Sequence, residues 1–366
     1  MGIVYGLLVL EAIVFLHELG HYAVGRLLGM DVESFSLGFG PVIFHREAFG
    51  TDWRISLVPL GGYCAFRDEA FDEFAVQKDG SYGAARPIFR AAVNCAGPLV
   101  NFIVAFMALA VAAMSWKTAY SQEPVVEIAS ESVHGVHSAA GDAGIMSGDR
   151  IVSIDGERVA AFSDIRRLVS DRPGEVLEVV FERNGTSGAE MKSASVKVGQ
   201  SGDAGVLGVV AMKEKIPPEP FFRAVASGFS GALKMVRLTV GVFSPSNLRA
   251  AFGGRGIVDG ISENVAGPVQ IMSLIGDTAS SGLPPFLYFV ALVNVSLFVL
   301  NMLPVAPFDG FGIVLAFVEI FFRRRPSKRV RSAIGIFGTA VIASLFCVAV
   351  LSDFVYIQEL LKNVWK

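Results

Sequence analysis

His17-Glu18-Leu19-Gly20-His21 places two imidazoles four residues apart with a carboxylate between them. On a helix, positions i and i+4 lie one turn apart on one face, so both rings can reach a single ion. Two neutral imidazoles plus a carboxylate suit zinc, with a fourth position left open for water. An ion held this way lowers the pKa of water toward ~7 and polarises a carbonyl. Glu18 lies beside the histidine face and can take the proton. The chemistry this pattern supports is metal-assisted hydrolysis, and it needs a third ligand. His134 and His137 lie far off in a polar segment, and His45 falls in a short strand-like run that reads as surface. Asp309 is better placed, in Asn301-Met-Leu-Pro-Val-Ala-Pro-Phe-Asp-Gly310. Pro304 and Pro307 break a helix there and free backbone groups, which is tolerated in a membrane only where the chain lines protein or a wet cavity.

The elements that must carry these residues are apolar. The 366 residues are 52% hydrophobic and only 18% charged, below the roughly 25% usual for soluble domains. Mean hydropathy is +0.54. Residues 91–116, 278–308 and 332–352 contain no charge over 26, 31 and 21 residues, each long enough to span a bilayer. Residues 2–28 form a fourth apolar run despite Glu11, His17, Glu18, His21 and Arg26. It lacks a basic leader and a small-residue cleavage site, so it reads as a first transmembrane helix and not a signal peptide. Charges at such depth default to a functional reading; Glu11 receives no role here.

Six basic residues between 323 and 331 set the orientation. By the positive-inside rule that loop is cytoplasmic. The loop holding Arg46, Arg54, Arg67, Lys78, Arg86 and Arg90 is then cytoplasmic too. A net charge of −3 gives no support for nucleic-acid binding, and three cysteines without a Cys-x-x-Cys exclude a disulfide scaffold and a zinc ribbon.

Residues 120–215 differ, with 15 acidic and 10 basic residues. Val125–Ile128, Arg150–Ile154 and Val176–Phe181 read as strands, Asp164–Val169 as a short helix, and Asp155-Gly156 and Asn184-Gly185 as turns. The stretch 143–156 resembles the signature of a bacterial, circularly permuted PDZ domain, a fold that binds extended peptides at a sheet edge. Beyond it, Phe221, Val225, Phe229, Leu233, Val236 and Val240 recur at helical spacing, as in an amphipathic helix on the membrane surface. Another helical stretch begins at 264–271.

His17-Glu-Leu-Gly-His21 followed far downstream by Asn301-x-x-Pro304-x-x-Pro307-x-Asp309-Gly310 resembles the site-2 protease family of intramembrane zinc metalloproteases, and within it the regulator-of-sigma-E proteases. Ser36-Leu-Gly-Phe-Gly-Pro41, Pro59-Leu-Gly-Gly-Tyr63, Gly97-Pro-Leu-Val-Asn101 and Ala266-Gly-Pro-Val269 occur in the family's order. The resemblance implies one Zn2+ per chain held by His17, His21 and Asp309, with Glu18 as general base. It implies that Asn301, with Pro304 and Pro307 of the same motif, holds the backbone of an unwound substrate. A β-loop around Gly61, Gly62 and Tyr63 would pair with that substrate as an added strand. The implied substrates are single-pass transmembrane proteins, namely anti-sigma factors or signal-peptide remnants, trimmed first by an upstream site-1 protease.

The expected architecture is a polytopic α-helical membrane protein with about four transmembrane helices, a membrane re-entrant β-loop and one extracytoplasmic β-rich PDZ domain. Its parts are 1–117 in the membrane, 120–215 as the PDZ domain, 216–280 as membrane-surface helices and 281–366 in the membrane. The implied location is a bacterial inner membrane, with the PDZ domain on the periplasmic side and lipid as the surrounding partner. One PDZ domain, where several relatives carry two, and Cys64 after Tyr63 depart from the family pattern. A metal-binding transporter with a broken helix at the midplane and a non-proteolytic PDZ scaffold are the competing readings. The lack of an inverted repeat and the intact Glu18 argue against them.

Overall fold

The computed structural model describes residues 2–67, 86–132, 137–185, 188–202, 204–244, 246, 267–323 and 326–364. Lys78, His134, residues 264–266, Arg324 and Arg325 lie outside the described residues. The chain divides into two compact units, Met1–Ser115 with Glu219–Lys366, and Trp116–Pro218.

The first unit begins with helix α1, Gly2–Leu27. Gly29 follows at φ +77°, a left-handed conformation glycine adopts without penalty, and Met30 N–H closes onto Gly25 O at 2.9 Å. Strands β1 (Val32–Ala48) and β2 (Thr51–Phe66) come next. Both are long and bent, so they pair twice. Residues 34–37 lie opposite 65–62 on one side and opposite 52–55 on the other, while 42–48 pairs with 56–51. Residues 62–66 are thereby left at an edge of the sheet, with no strand on their other side among the described residues.

Helix α2 (Pro87–Ala113) carries proline at its start, where the missing N–H costs nothing. Then follow α3 (Phe221–Val242), α4 (Pro268–Ser280), α5 (Leu283–Asn301), α6 (Asp309–Phe322) and α7 (Lys328–Val364). Four helices are long and apolar enough to cross a bilayer: Gly2–Leu27, Pro87–Ala113, Leu283–Asn301 and, within α7, Arg329–Leu351. They match the four apolar runs of the sequence.

Two segments add detail to the pattern read in the sequence. In α3, Ala224, Gly228 and Ala232 are buried, and a Cβ on Gly228 would sit 2.7 Å from Ala110 N of α2. Phe221, Phe229, Leu233 and Val240 of the expected apolar stripe are exposed. Small residues let helices approach closely, while large apolar ones can face lipid at no cost. The third charge-free window is also not one element. Its helix stops at Asn301, and Asp309 starts a separate 14-residue helix, α6. At 1.5 Å per residue α6 is about 21 Å long, too short to span alone.

Helix α4 rests on α1, where a Cβ on Gly6 would meet Met272 O at 2.2 Å. Its N-terminus is capped from α7: Val269 and Gln270 N–H donate to the buried Asp353 carboxylate at 2.9 and 3.1 Å. Helix α6 is seated on α2 by a buried ion pair between Arg90 and Glu319. Close by, a Cβ on Gly312 would reach the Asn94 amide.

The second unit is β-rich. Its main sheet runs Glu157–Arg158, Arg150–Ile154, Val176–Gly185, Gly188–Lys197 in spatial order. Smaller pairs join 126–128 with 209–211, 117–120 with 213–216 and 199–201 with 204–206. Ile128, Ile151, Ile154, Leu177, Val179 and Val196 lead its core, closed by the short helix Phe162–Val169. Asp149 and Arg183 tie sheet to loop through two charge-assisted bonds of 2.8 and 2.6 Å.

Candidate metal centre

The ligand atoms come from the two ends of the first unit. Helix spacing turns His17 and His21 to one face of α1, and the break after Asn301 returns the chain so that Asp309 starts α6 against them. His17 Nε2 and His21 Nε2 are 3.2 Å apart. Each lies 3.4 Å from Asp309 Oδ2. A tetrahedral ion with bonds of about 2.0–2.1 Å has ligand–ligand edges of about 3.3–3.4 Å. The triangle therefore has the size of one face of a zinc tetrahedron. Both imidazoles are buried, and Asp309 Oδ2 is buried with no hydrogen-bond partner. A cation is the natural partner for such a set, and these residues fit zinc.

The second nitrogens fix the ring orientations. His21 Nδ1–H donates to Val93 O at 2.8 Å, leaving Nε2 as the ligand. His17 Nδ1 lies 3.1 Å from the Asn101 amide, and Asn101 is fully buried with its Oδ1 unpartnered. Turning the amide so that Oδ1 accepts from Nδ1–H satisfies both groups and frees Nε2 for metal. Room for the rings is made by glycine. A Cβ on Gly97 would sit 2.3 Å from His21 Nε2 and 2.8 Å from His17 Cε1, and one on Gly20 would sit 2.8 Å from Ala96 O.

The centre opens into a cavity of about 450 Å³ lined by His17, Glu18, His21, Gly62, Tyr63, Cys64, Phe66, Val93, Asn94, Asn301, Pro307 and Asp309. Nine residues of very different sequence position thus surround Glu18 and the two rings. Of the expected substrate-binding set, Asn301, Pro307, Gly62 and Tyr63 are in the lining, whereas Gly61 and Pro304 are not. Pro304 is exposed. Gly61 is turned to Phe39, whose ring a Cβ would meet at 2.4 Å, at φ +136°. His45 is an exposed strand residue bonded to Asp52 at 3.2 Å, and His137 pairs with Asp142 in the other unit. Outside the spans, burial pushes the Cys64 thiol up to about 12.

A model of peptidase family M50 matches residues 5–345. The chain belongs to peptidase family M50, the site-2 protease family. A relative from Mesorhizobium japonicum, named a "putative zinc metalloprotease", is 32% identical over 341 residues, covering 88% of this chain and 90% of its own. One of the same designation from Rhizobium meliloti is 34% identical, covering 87% of each chain. Another from Treponema pallidum is 27% identical, covering 96% of this chain and 98% of its own. Family membership makes this a membrane zinc metalloprotease of the site-2 type, and the triangle of His17, His21 and Asp309 has the donors that zinc requires.

Gly97 and Asn101, which make room for and orient the ligand rings, stand in the sequence only within the Gly97-Pro-Leu-Val-Asn101 motif, with no role attached. Arg90, Asn94, Gly97 and Asn101 follow one another at spacings of four, three and four, a single stripe along α2. Polar side chains and glycine at helical period inside an apolar helix are the signal that points to them.

Proposed function

We propose that the protein hydrolyses peptide bonds inside the transmembrane segments of single-pass membrane proteins, as a step of regulated intramembrane proteolysis. The observation that carries this reading is the metal triangle sited on α1 and α6 with Glu18 beside it. Zinc bound there supplies a water of lowered pKa and a Lewis acid for the scissile carbonyl. Glu18 receives the proton of the attacking water and returns it to the leaving amine. Asn301 and the edge strand 62–66 hold the substrate extended. A helix hides its peptide bonds in its own hydrogen bonds, so it must be unwound before attack. A strand edge offers the opened backbone replacement partners.

The substrate class is anti-sigma factors or signal-peptide remnants, cut after an upstream site-1 protease has trimmed them. The unit Trp116–Pro218 acts as a PDZ-like filter against substrates that keep large outer parts. It faces the periplasm, with the basic segment 323–331 in the cytoplasm of a bacterial inner membrane. Glu18→Gln tests the core of this reading. It should keep zinc and fold, lose nearly all cleavage of a model transmembrane segment, and accumulate bound substrates in cells. Turnover at the wild-type rate would refute it. Deleting 120–215 should spare cleavage of a short trimmed segment and raise cleavage of an untrimmed one.

A further inference from the structure

Glu11 is a carboxylate within a membrane-spanning helix, six residues before the first metal-binding histidine, and the hydrolytic chemistry makes no use of it. A charge at that depth needs a partner. Its partner is a backbone group of the β-loop: Gly61 N–H donates to Glu11 Oε1 at 3.3 Å. Glu18 also faces this strand: its Cγ would stand 3.4 Å from a Cβ on Gly62. The two glutamates are seven residues apart, so they share a face of α1 about 10.5 Å apart along its axis. Helix and strand run in the same direction, Gly61 meeting Glu11 and Gly62 meeting Val14 and Glu18. Between these contacts the strand lies flush on the helix: a Cβ on Gly62 would meet Val14 Cγ1 at 3.3 Å and Glu18 Cγ at 3.4 Å. Glu11 of α1 thus serves as an acceptor at the end of a strand edge that pairs with no second strand at 62–65 among the described residues.

We propose that Glu11 is a positioning residue that pins the β-loop at Gly61 and so sets the register of the edge strand 62–66 relative to the metal ligands. The proposal rests on the reading that this strand receives the substrate. A substrate paired to the edge engages the strand where Gly62, Tyr63 and Cys64 line the cavity with Glu18. The contact at Gly61 lies at the far end, outside the cavity lining, and holds the strand while substrate exchanges. Register matters because one residue of slip moves a different peptide bond over the metal and turns each side chain to the other face.

The test uses the full chain with Cys95→Ser and Cys347→Ser, which leaves Cys64 as the sole thiol. Glu11→Gln keeps an acceptor oxygen; Glu11→Leu and Glu11→Ala remove it. Three quantities are read: zinc per chain, the rate of Cys64 alkylation by N-ethylmaleimide, and the bonds cut in a model transmembrane segment, identified by mass spectrometry. Loss of a hydrogen bond to a charged acceptor should raise the alkylation rate about tenfold or more in the Leu and Ala variants. Zinc should stay near one per chain, and cleavage should spread to neighbouring bonds. Glu11→Gln should behave as wild type in all three. Unchanged alkylation and a single unchanged cut site in either acceptor-free variant would overturn the pin, as would Glu11→Gln matching Glu11→Leu. Alkylation needs no catalysis, so failure of the wild type to cut the segment would count against the proposed function alone.

Discussion

Gly97→Ala adds one methyl group to the middle of α2, and its sign is opposite to what helix propensity gives. In an ordinary helix interior, alanine in place of glycine stabilises by about 0.5–1 kcal/mol. At Gly97 the new Cβ would stand 2.3 Å from His21 Nε2, 2.7 Å from His21 Cε1 and 2.8 Å from His17 Cε1, where ordinary contact begins at 3.4 Å. The nearest ring atom must retreat by 3.4 − 2.3 = 1.1 Å, or α2 must move off α1. That atom is itself the ligand, and metal–ligand distances tolerate only about 0.2 Å. Misplacing reacting groups by about 1 Å costs roughly 10²-fold in rate. The expected outcome is a loss of zinc affinity and a cleavage rate down by about 10²-fold, while the protein remains helical. Gly335→Ala is the control, since nothing lies within 4 Å of a Cβ there. Zinc per chain by mass spectrometry, affinity by chelator competition and turnover on a transmembrane segment measure the effect in detergent or proteoliposomes. A Gly97→Ala protein with wild-type zinc affinity and turnover within about twofold would show that the helices part freely at this point, and the argument from close approach would fail.

Three further outcomes are expected. His17→Ala, His21→Ala and Asp309→Ala should each lower zinc below one per chain, and full occupancy in all three would remove the ligand assignment. Asn101→Leu should weaken zinc by about 10–100-fold through loss of the bond that orients His17, with Glu18 untouched; an unchanged chelator titration would argue against that role. Glu319→Gln should destabilise by about 3–5 kcal/mol because Arg90 is left charged in a buried site, whereas Arg90→Met with Glu319→Met should come close to neutral. Thermal unfolding of the three proteins side by side reads this, and a double variant no better than the single would contradict it.

The spans were legible because charge-free windows and bilayer thickness need no tertiary knowledge. Their ends were less so: α2 starts at Pro87, before the charge-free window, because Arg90 enters the helix with Glu319 as its partner. Helix α6 was hidden for a related reason. Residues 310–318 are apolar throughout, and uniform hydrophobicity carries no period from which to read an element boundary. In α3 the apolar stripe was visible, and Phe221, Phe229, Leu233 and Val240 on it are exposed. The face that packs on α2 was not, because it consists of Ala224, Gly228 and Ala232, small residues whose burial leaves no apolar period to read. At the site, the spacing of His17 and His21 announces shared coordination, and a lone Asp309 after two prolines invites a third ligand. The supports of those ligands could not be read the same way. Val93 contributes only a carbonyl and Gly97 only the absence of a side chain, so neither residue type marks its own role.

His21 and Asp309 stand 309 − 21 = 288 residues apart in the chain, yet their ligand atoms meet at 3.4 Å. Chains are synthesised at about 5–20 residues per second, so roughly 15–60 s separate the emergence of the two histidines from that of the aspartate. Throughout that interval α1 carries His17, Glu18 and His21 without the Asp309 carboxylate that completes the cluster. Arrival of α6 on α2 closes it, and only then do the three ligand atoms stand together. The division of one metal centre between the first helix and the last third of the sequence thus means that the ligand set cannot assemble until most of the chain has been made.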